Sequence, residues 1–209
     1  MGKKSSKWFK AHINDEFVKL ANKENWRSRA VFKLKEIDEK YNLIKTNSKI
    51  LDLGCSPGGW SQYASRKHKN INITAVDLLC MEKLENVNFV QSDIEDFREK
   101  YLKNADFHKI DLVMSDIAPN ISGIESADAA AGLHLAEIVT EIALDVLNDS
   151  GNLLIKLFQG KGTDEFLSEI RKLFGTVRII KPKASKTNSR EIYMLATNMK
   201  INNSGLHYE

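Results

Sequence analysis

The chain has 209 residues, 42% of them hydrophobic and 28% charged, which is long enough for one well-buried domain and short for two. No apolar run approaches the roughly 20 residues of a membrane-spanning helix, so no membrane role is expected. The net charge of +3 is mild but unevenly spread, and local basic patches suit a polyanion better than a small neutral substrate.

The predicted elements begin with a basic helical lead-in, Asn14 to Ala21 and Ser28 to Tyr41, which holds Lys7, Lys10, Arg27, Arg29 and Lys33 in or near it. Short apolar runs then alternate with helical patterns. The strands are Lys49 to Gly54, Ile73 to Leu78, Val87 to Gln91, Ile110 to Ser115, Asn152 to Phe158, Val177 to Lys181 and Ile192 to Thr197. The helices between them are Trp60 to His68, Ile94 to Asn104, Ala127 to Leu147 and Asp164 to Phe174. Such alternation means an α/β fold, a mostly parallel sheet with helices on both faces. The last two strands are joined without a helix by the basic loop Pro182 to Arg190, so they are expected to form an antiparallel hairpin. One domain is expected over residues 1–209, with a lead-in (1–45), a core (46–200) and a tail (201–209). Cys55 and Cys80 lack metal-ligand or disulfide spacing. No metal is expected, and the thiols are expected buried or half-buried in a reducing compartment, cytoplasmic or mitochondrial.

The stretch Leu51 to Gln62, "LDLGCSPGGWSQ", reads as strand, glycine-rich loop and helix start. Unpaired N–H groups and the positive end of the helix dipole favour an anion there, and glycines let a ligand approach the backbone. Asp77 ends the second strand, where a carboxylate can accept from both ribose hydroxyls of an adenosine. Asp93, after the third strand, can accept from an adenine amino group or cap the following helix. A nicotinamide dehydrogenase is disfavoured because the loop lacks G-x-G-x-x-G and Pro57 stiffens it. S-adenosylmethionine, with one carboxylate and no phosphate, suits it better.

In order, "RSRAVFKL", "DLGCSPGGWSQ", "VDLL", "SDIAPNISG", "IKLFQG" and "SREIYMLAT" resemble the FtsJ-type (RlmE-like) ribose 2′-O-methyltransferases, and among them the group that modifies a uridine of large-subunit ribosomal RNA. The likeness runs from about Lys7 to Thr197. It implies a Rossmann-like methyltransferase fold with seven strands and a last strand antiparallel. It also implies S-adenosylmethionine as donor, held by Gly54, Pro57, Gly58, Gly59, Trp60, Asp77, Leu78, Asp93 and Asp116. A Lys-Asp-Lys-Glu set is implied at Lys33, Asp116, Lys156 and Glu191. Asp116 and Lys156 fall near the C-terminal ends of parallel strands, and Glu191 opens an antiparallel one, so all three belong to one sheet edge. Lys156 interrupts an apolar run, where a charge is costly unless partnered. Two roles stay open for it: general base toward the 2′-hydroxyl, or a charged group stabilising the developing alkoxide.

Ribosomal RNA, free or in the large subunit, is the expected partner of a monomeric enzyme, with Lys7, Lys10, Arg27, Arg29, Lys183, Lys186 and Arg190 as candidate contacts. The alternatives are a transfer-RNA or messenger-RNA cap 2′-O-methyltransferase and, from another class, a non-catalytic RNA-binding module.

Overall fold

A computed structural model describes residues 15–102, 109–186 and 189–200. In chain order the elements are α1 (Glu16–Lys23), α2 (Val31–Tyr41), β1 (Lys49–Leu53), α3 (Gly59–Lys67), β2 (Asn72–Asp77), β3 (Val87–Gln91), α4 (Ile94–Tyr101), β4 (Ile110–Ser115), α5 (Glu125–Val146), β5 (Leu147–Phe158), α6 (Thr163–Leu173), β6 (Phe174–Ile180) and β7 (Glu191–Met199).

The strands form one seven-stranded sheet in the order β3-β2-β1-β4-β5-β7-β6. The pairs among β1 to β5 are parallel, whereas β7 lies antiparallel between β5 and β6. The expected hairpin is therefore present, but its second strand turns inward and β6 becomes the sheet edge. This arrangement suits the sequences: β7 (EIYMLATNM) buries Ile192 through Ala196 without a break, while β6 keeps only Phe174 buried. A central strand covered on both faces needs the first pattern and an edge strand tolerates the second.

Alternating residues divide between two cores, as the pleat requires. Leu51, Leu53, Val113, Leu153, Ile155 and Leu157 pack with α4, α5 and α6. Ile50, Leu112, Met114, Leu154, Tyr193 and Leu195 pack with α2 and α3. Strand β5 starts earlier than expected: Leu147 is buried and pairs with Ile110 ahead of a register shift, and the Asn148 amide donates to Asp111. Cys55 is buried as expected, but Cys80 is exposed in the turn after β2.

Candidate active site

The glycine loop follows β1 and is tied to the end of β2. Gly54 and Cys55 N–H groups donate to the Val76 carbonyl at 2.8 and 3.2 Å, and Ser56 N–H donates to Asp77 Oδ2 at 2.8 Å. Gly54 and Gly58 have φ of +72° and +98°, a region that favours glycine. A Cβ on Gly54 would stand 2.7 Å from Ile117 Cβ, and one on Gly58 would stand 2.5 Å from Met81 Sδ. The Gly59 position is as tight, with Ser28 Oγ 2.5 Å from where a Cβ would be. Trp60 is buried, its indole N–H donating to the Ala30 carbonyl at 2.9 Å. Beneath this loop is a cavity of about 170 Å³ whose walls include Asp52, Gly54, Ser56, Pro57, Gly59 and Asp116.

Two carboxylates therefore enter one small cavity walled by glycine backbone. Asp52, at 1% exposure, accepts from Ser61 Oγ at 2.6 Å. Burial pushes its carboxyl up to about 7, with Asp116 and Asp77 adding to the rise and Ser61 opposing it. Asp52 was not among the residues expected at the site. Its signal was present in the sequence: like Lys156, it interrupts an apolar strand.

At the C-terminal edge of the sheet the four expected residues meet. Lys156 Nζ lies 3.2 Å from Asp116 Oδ1 and donates to the Asp116 carbonyl at 2.6 Å. Lys33 Nζ, brought in by α2, lies 2.8 Å from Glu191 Oε1 and 3.8 Å from Asp116 Oδ1. Ser185 Oγ donates to Glu191 Oε1 at 3.0 Å. The Lys156 side chain is only 6% exposed, so its charge is met by partners rather than by water. A fifth member, Tyr193, joins them: its hydroxyl accepts from Lys33 Nζ at 2.9 Å and donates to Asp116 Oδ1 at 2.6 Å. Burial pushes the Asp116 carboxyl up, but Lys156, Lys33 and the Tyr193 hydroxyl outweigh it and hold the group below the usual carboxylate range. The Tyr193 phenol goes the other way, raised well above its ordinary value by burial and by Asp116 and Glu191. Two lysines and two carboxylates make a nearly neutral cluster, which is how such charges persist in a buried place.

The other expected residues are distributed less uniformly. Asp77, at the end of β2, accepts from Leu79 N–H at 2.8 Å as well as from Ser56, and free lone pairs remain on its oxygens. Leu78 is largely exposed beside it. Asp93 caps α4, accepting from Glu95 N–H at 2.8 Å. Arg27 and Arg29, expected to face RNA, are half-buried and hold partners within the protein. Arg27 donates to the carbonyls of Pro57, Glu82 and Lys83, bracing the glycine loop against the turn after β2. Arg29 pairs with Asp15 at 3.1 Å and donates to the Ala184 carbonyl. Lys183 and Lys186 are exposed, and Arg190 pairs with Glu125 at 2.5 Å. Lys7 and Lys10 lie outside the described residues.

A doubly wound sheet with an inserted antiparallel β7, a glycine cradle after β1 and acidic residues after β2 and β3 defines a Rossmann-like methyltransferase that takes its methyl group from S-adenosylmethionine. The cradle fits that donor: Gly54 and Gly59 wall the cavity with backbone, and the carboxylates of Asp52 and Asp116 on the same cavity suit the ammonium of an amino-acid moiety. Comparison with known proteins agrees. The profile of FtsJ-like methyltransferases matches residues 26–199, and the chain belongs to that family. Two curated relatives, from Polaromonas sp. (strain JS666 / ATCC BAA-500) and Stutzerimonas stutzeri (strain A1501), are each called ribosomal RNA large subunit methyltransferase E. Both are 44% identical to this chain over 95% of its length, covering 87% and 98% of their own. A crystal structure from Plasmodium falciparum, described as a ribosomal RNA methyltransferase, superposes with a TM-score of 0.74 at 31% identity, covering 83% of this chain and 98% of that one. Human methyltransferase-like protein 13, solved in complex with SAH, shares the fold at a TM-score of 0.60 and 10% identity, over 83% of this chain and 81% of its own.

Proposed function

We propose that the protein methylates a ribose 2′-hydroxyl of large-subunit ribosomal RNA, with Lys33, Asp116, Lys156 and Glu191 as its catalytic group. The observation that carries this reading is the double position of Asp116, which lines the donor cavity and also holds Lys156. That double position supports a reading in which the donor and the acceptor meet at one carboxylate.

S-adenosylmethionine, when bound, supplies an electrophilic methyl group on a sulfonium. The residues that would hold it are those walling the cavity, Asp52, Gly54, Gly59 and Asp116, and a ribose 2′-oxygen would accept that methyl group with loss of its hydroxyl proton. Lys156 faces two acceptors, the carbonyl and Oδ1 of Asp116, which favours an oriented ammonium with one N–H left for the 2′-oxygen. In that role it aims the nucleophile's lone pair and stabilises charge developing on it, and the proton passes to water. Lys156, Lys33 and Tyr193 keep Asp116 ionised, and Glu191, itself held by Ser185, fixes Lys33. Exposed Lys183 and Lys186 bind RNA phosphates beside this edge. The names of the curated relatives support ribosomal over transfer RNA as substrate. We assign a monomer acting where large subunits assemble, in cytoplasm or mitochondrion.

The test is to incubate the protein with labelled S-adenosylmethionine and, separately, large ribosomal subunits, naked ribosomal RNA and transfer RNA, then to map the labelled nucleotide. Label on a ribose of large-subunit RNA is the expected result. Label on transfer RNA, or on a base, overturns the assignment.

A further inference from the structure

The segment 117–124 between β4 and α5 starts one residue after Asp116, and a dedicated set of hydrogen bonds fixes its turn. Asp128, in the first turn of α5, accepts from Ser122 N–H and Oγ at 2.7 Å each and from Gly123 N–H at 3.1 Å. Ser122 Oγ in turn accepts from Ile124 N–H at 3.1 Å. The ionised side chain is the one that serves here, since these bonds, led by that from the Ser122 hydroxyl, hold the Asp128 carboxyl below its ordinary range. Beside exposed Asn120, Ser122 and Gly123, this ordered turn presents two large apolar side chains to water, Ile121 at 62% and Ile124 at 64% exposure.

A single exposed apolar residue needs no explanation, but two on a built turn at a catalytic edge mark a contact surface. The turn has no basic residue between Ile117 and Ile124, and the adjoining Glu125 is acidic, so it is unsuited to phosphate. Cations lie on the neighbouring 182–190 loop, at exposed Lys183 and Lys186, and the Arg190–Glu125 ion pair staples that loop to the base of the turn. One side of the edge therefore matches a nucleic-acid backbone and the other matches something flat and apolar. RNA presents such faces where bases are unstacked.

Building on the reading of Lys156 as the group facing the acceptor ribose, we propose that Ile121 and Ile124 pack against an unpaired RNA base next to the acceptor nucleotide. The enzyme thus takes its target out of the helical stack. Unstacking brings a buried ribose edge to a recessed lysine, and apolar packing offsets part of the stacking given up.

The experiment uses an RNA oligonucleotide spanning the mapped acceptor, with 2-aminopurine at the adjacent position, and compares wild type with Ile121→Ser/Ile124→Ser and Ile121→Leu/Ile124→Leu. With wild type and the leucine variant, fluorescence rises on binding as the probe base unstacks. With the serine variant the rise disappears and RNA affinity drops by about tenfold. The slope of affinity against salt stays constant because no phosphate partner is removed, and donor affinity by calorimetry is unchanged. Unaltered fluorescence and affinity in the serine variant overturn the proposal, as does a flatter salt slope, which signals a phosphate partner. Loss of binding only to assembled subunits, with naked RNA bound normally, overturns it in favour of a protein partner. A wild type that methylates the mapped ribose while its serine variant behaves identically refutes the base packing alone, whereas a wild type that methylates no RNA refutes both readings.

Discussion

Tyr193 stands opposite Lys156 in the antiparallel register of β5 and β7, and its hydroxyl donates to the same Asp116 oxygen that lies 3.2 Å from the Lys156 ammonium. Cross-strand neighbours share a face of the sheet, so one register places both groups on one carboxylate. Lys33 reaches the Tyr193 hydroxyl from the helical layer above.

Replacing Lys156 with alanine is expected to lower the methyl-transfer rate by roughly 10²- to 10³-fold, the effect of removing a donor aimed at developing charge. Equilibrium binding of the donor should be nearly unchanged, because Lys156 is not among the residues walling the cavity. Single-turnover kinetics and calorimetry separate the two, and substantial residual turnover would exclude the role given to Lys156.

Tyr193→Phe removes one donor from Asp116 and one acceptor from Lys33 while keeping the ring that packs 5.9 Å from Trp60. A stability loss of about 1 to 3 kcal/mol is expected in urea unfolding, the cost of leaving buried polar groups short of partners. Turnover should fall while donor affinity stays within a factor of a few. A variant as stable and active as wild type would make the hydroxyl incidental.

At Asp77, substitution by alanine should weaken S-adenosylmethionine binding by roughly 1.5 to 3 kcal/mol, the range for hydrogen bonds to a charged group. Part of that loss arises because the Ser56 N–H also loses its acceptor and the loop relaxes. Unchanged affinity in a folded variant would mean that another group holds the ribose.

The pH dependence of stability provides a test of Asp52. A carboxyl whose folded value is raised binds more protons in the native state, so its contribution is favourable while it is neutral. That contribution is lost as pH rises from the unfolded value near 4 toward the folded value of about 7. Asp52→Asn removes this slope, and the variant should gain stability relative to wild type by up to a few kcal/mol at pH 8 and little at pH 4. Asp116, held low, has the opposite sign and loses its contribution as pH falls. Urea titrations at a series of pH values would show the difference, and a parallel profile for the Asn variant would place Asp52 in a wetter environment.

Converting Lys183 and Lys186 together to alanine should weaken RNA binding and reduce its log-log salt slope by up to about 0.7 for each single-strand phosphate no longer neutralised. Donor affinity should hold. Equal RNA affinity across salt concentrations would make this loop a solvated turn.

The glycine loop and the acids after β2 and β3 were legible because apolar strand runs stop at the edge where ligands bind, so Gly54, Asp77 and Asp93 fall there, whereas Asp116 was singled out by the family resemblance. Lys156 announced itself by its cost in an apolar strand. Tyr193 did not, since an aromatic in "EIYMLAT" also reads as ordinary core and its partners come from β4 and α2. Asp52 had the same strand context as Lys156, but its cavity depends on how α3 folds back over β1. A cluster of basic residues also gives no hint that Arg27 and Arg29 donate to the carbonyls of Pro57 and Ala184. Nor does a hairpin connection say which of its strands turns inward.

That inward turn sets an order of events during synthesis. The glycine cradle, the two acids after β2 and β3 and the cavity carboxylate Asp116 are all made just past the end of β4, whereas Glu191 and Tyr193 arrive on the last strand and must enter between two strands already made. A nascent chain that has emerged only as far as β6 has β5 without its partner and Lys33 without its carboxylate and phenol from β7. Long-range pairing of this kind is slow to form. The enzyme therefore gains the means to recognise its donor before it gains the means to use it, and an incomplete translation product should remain chemically silent even where it is partly folded.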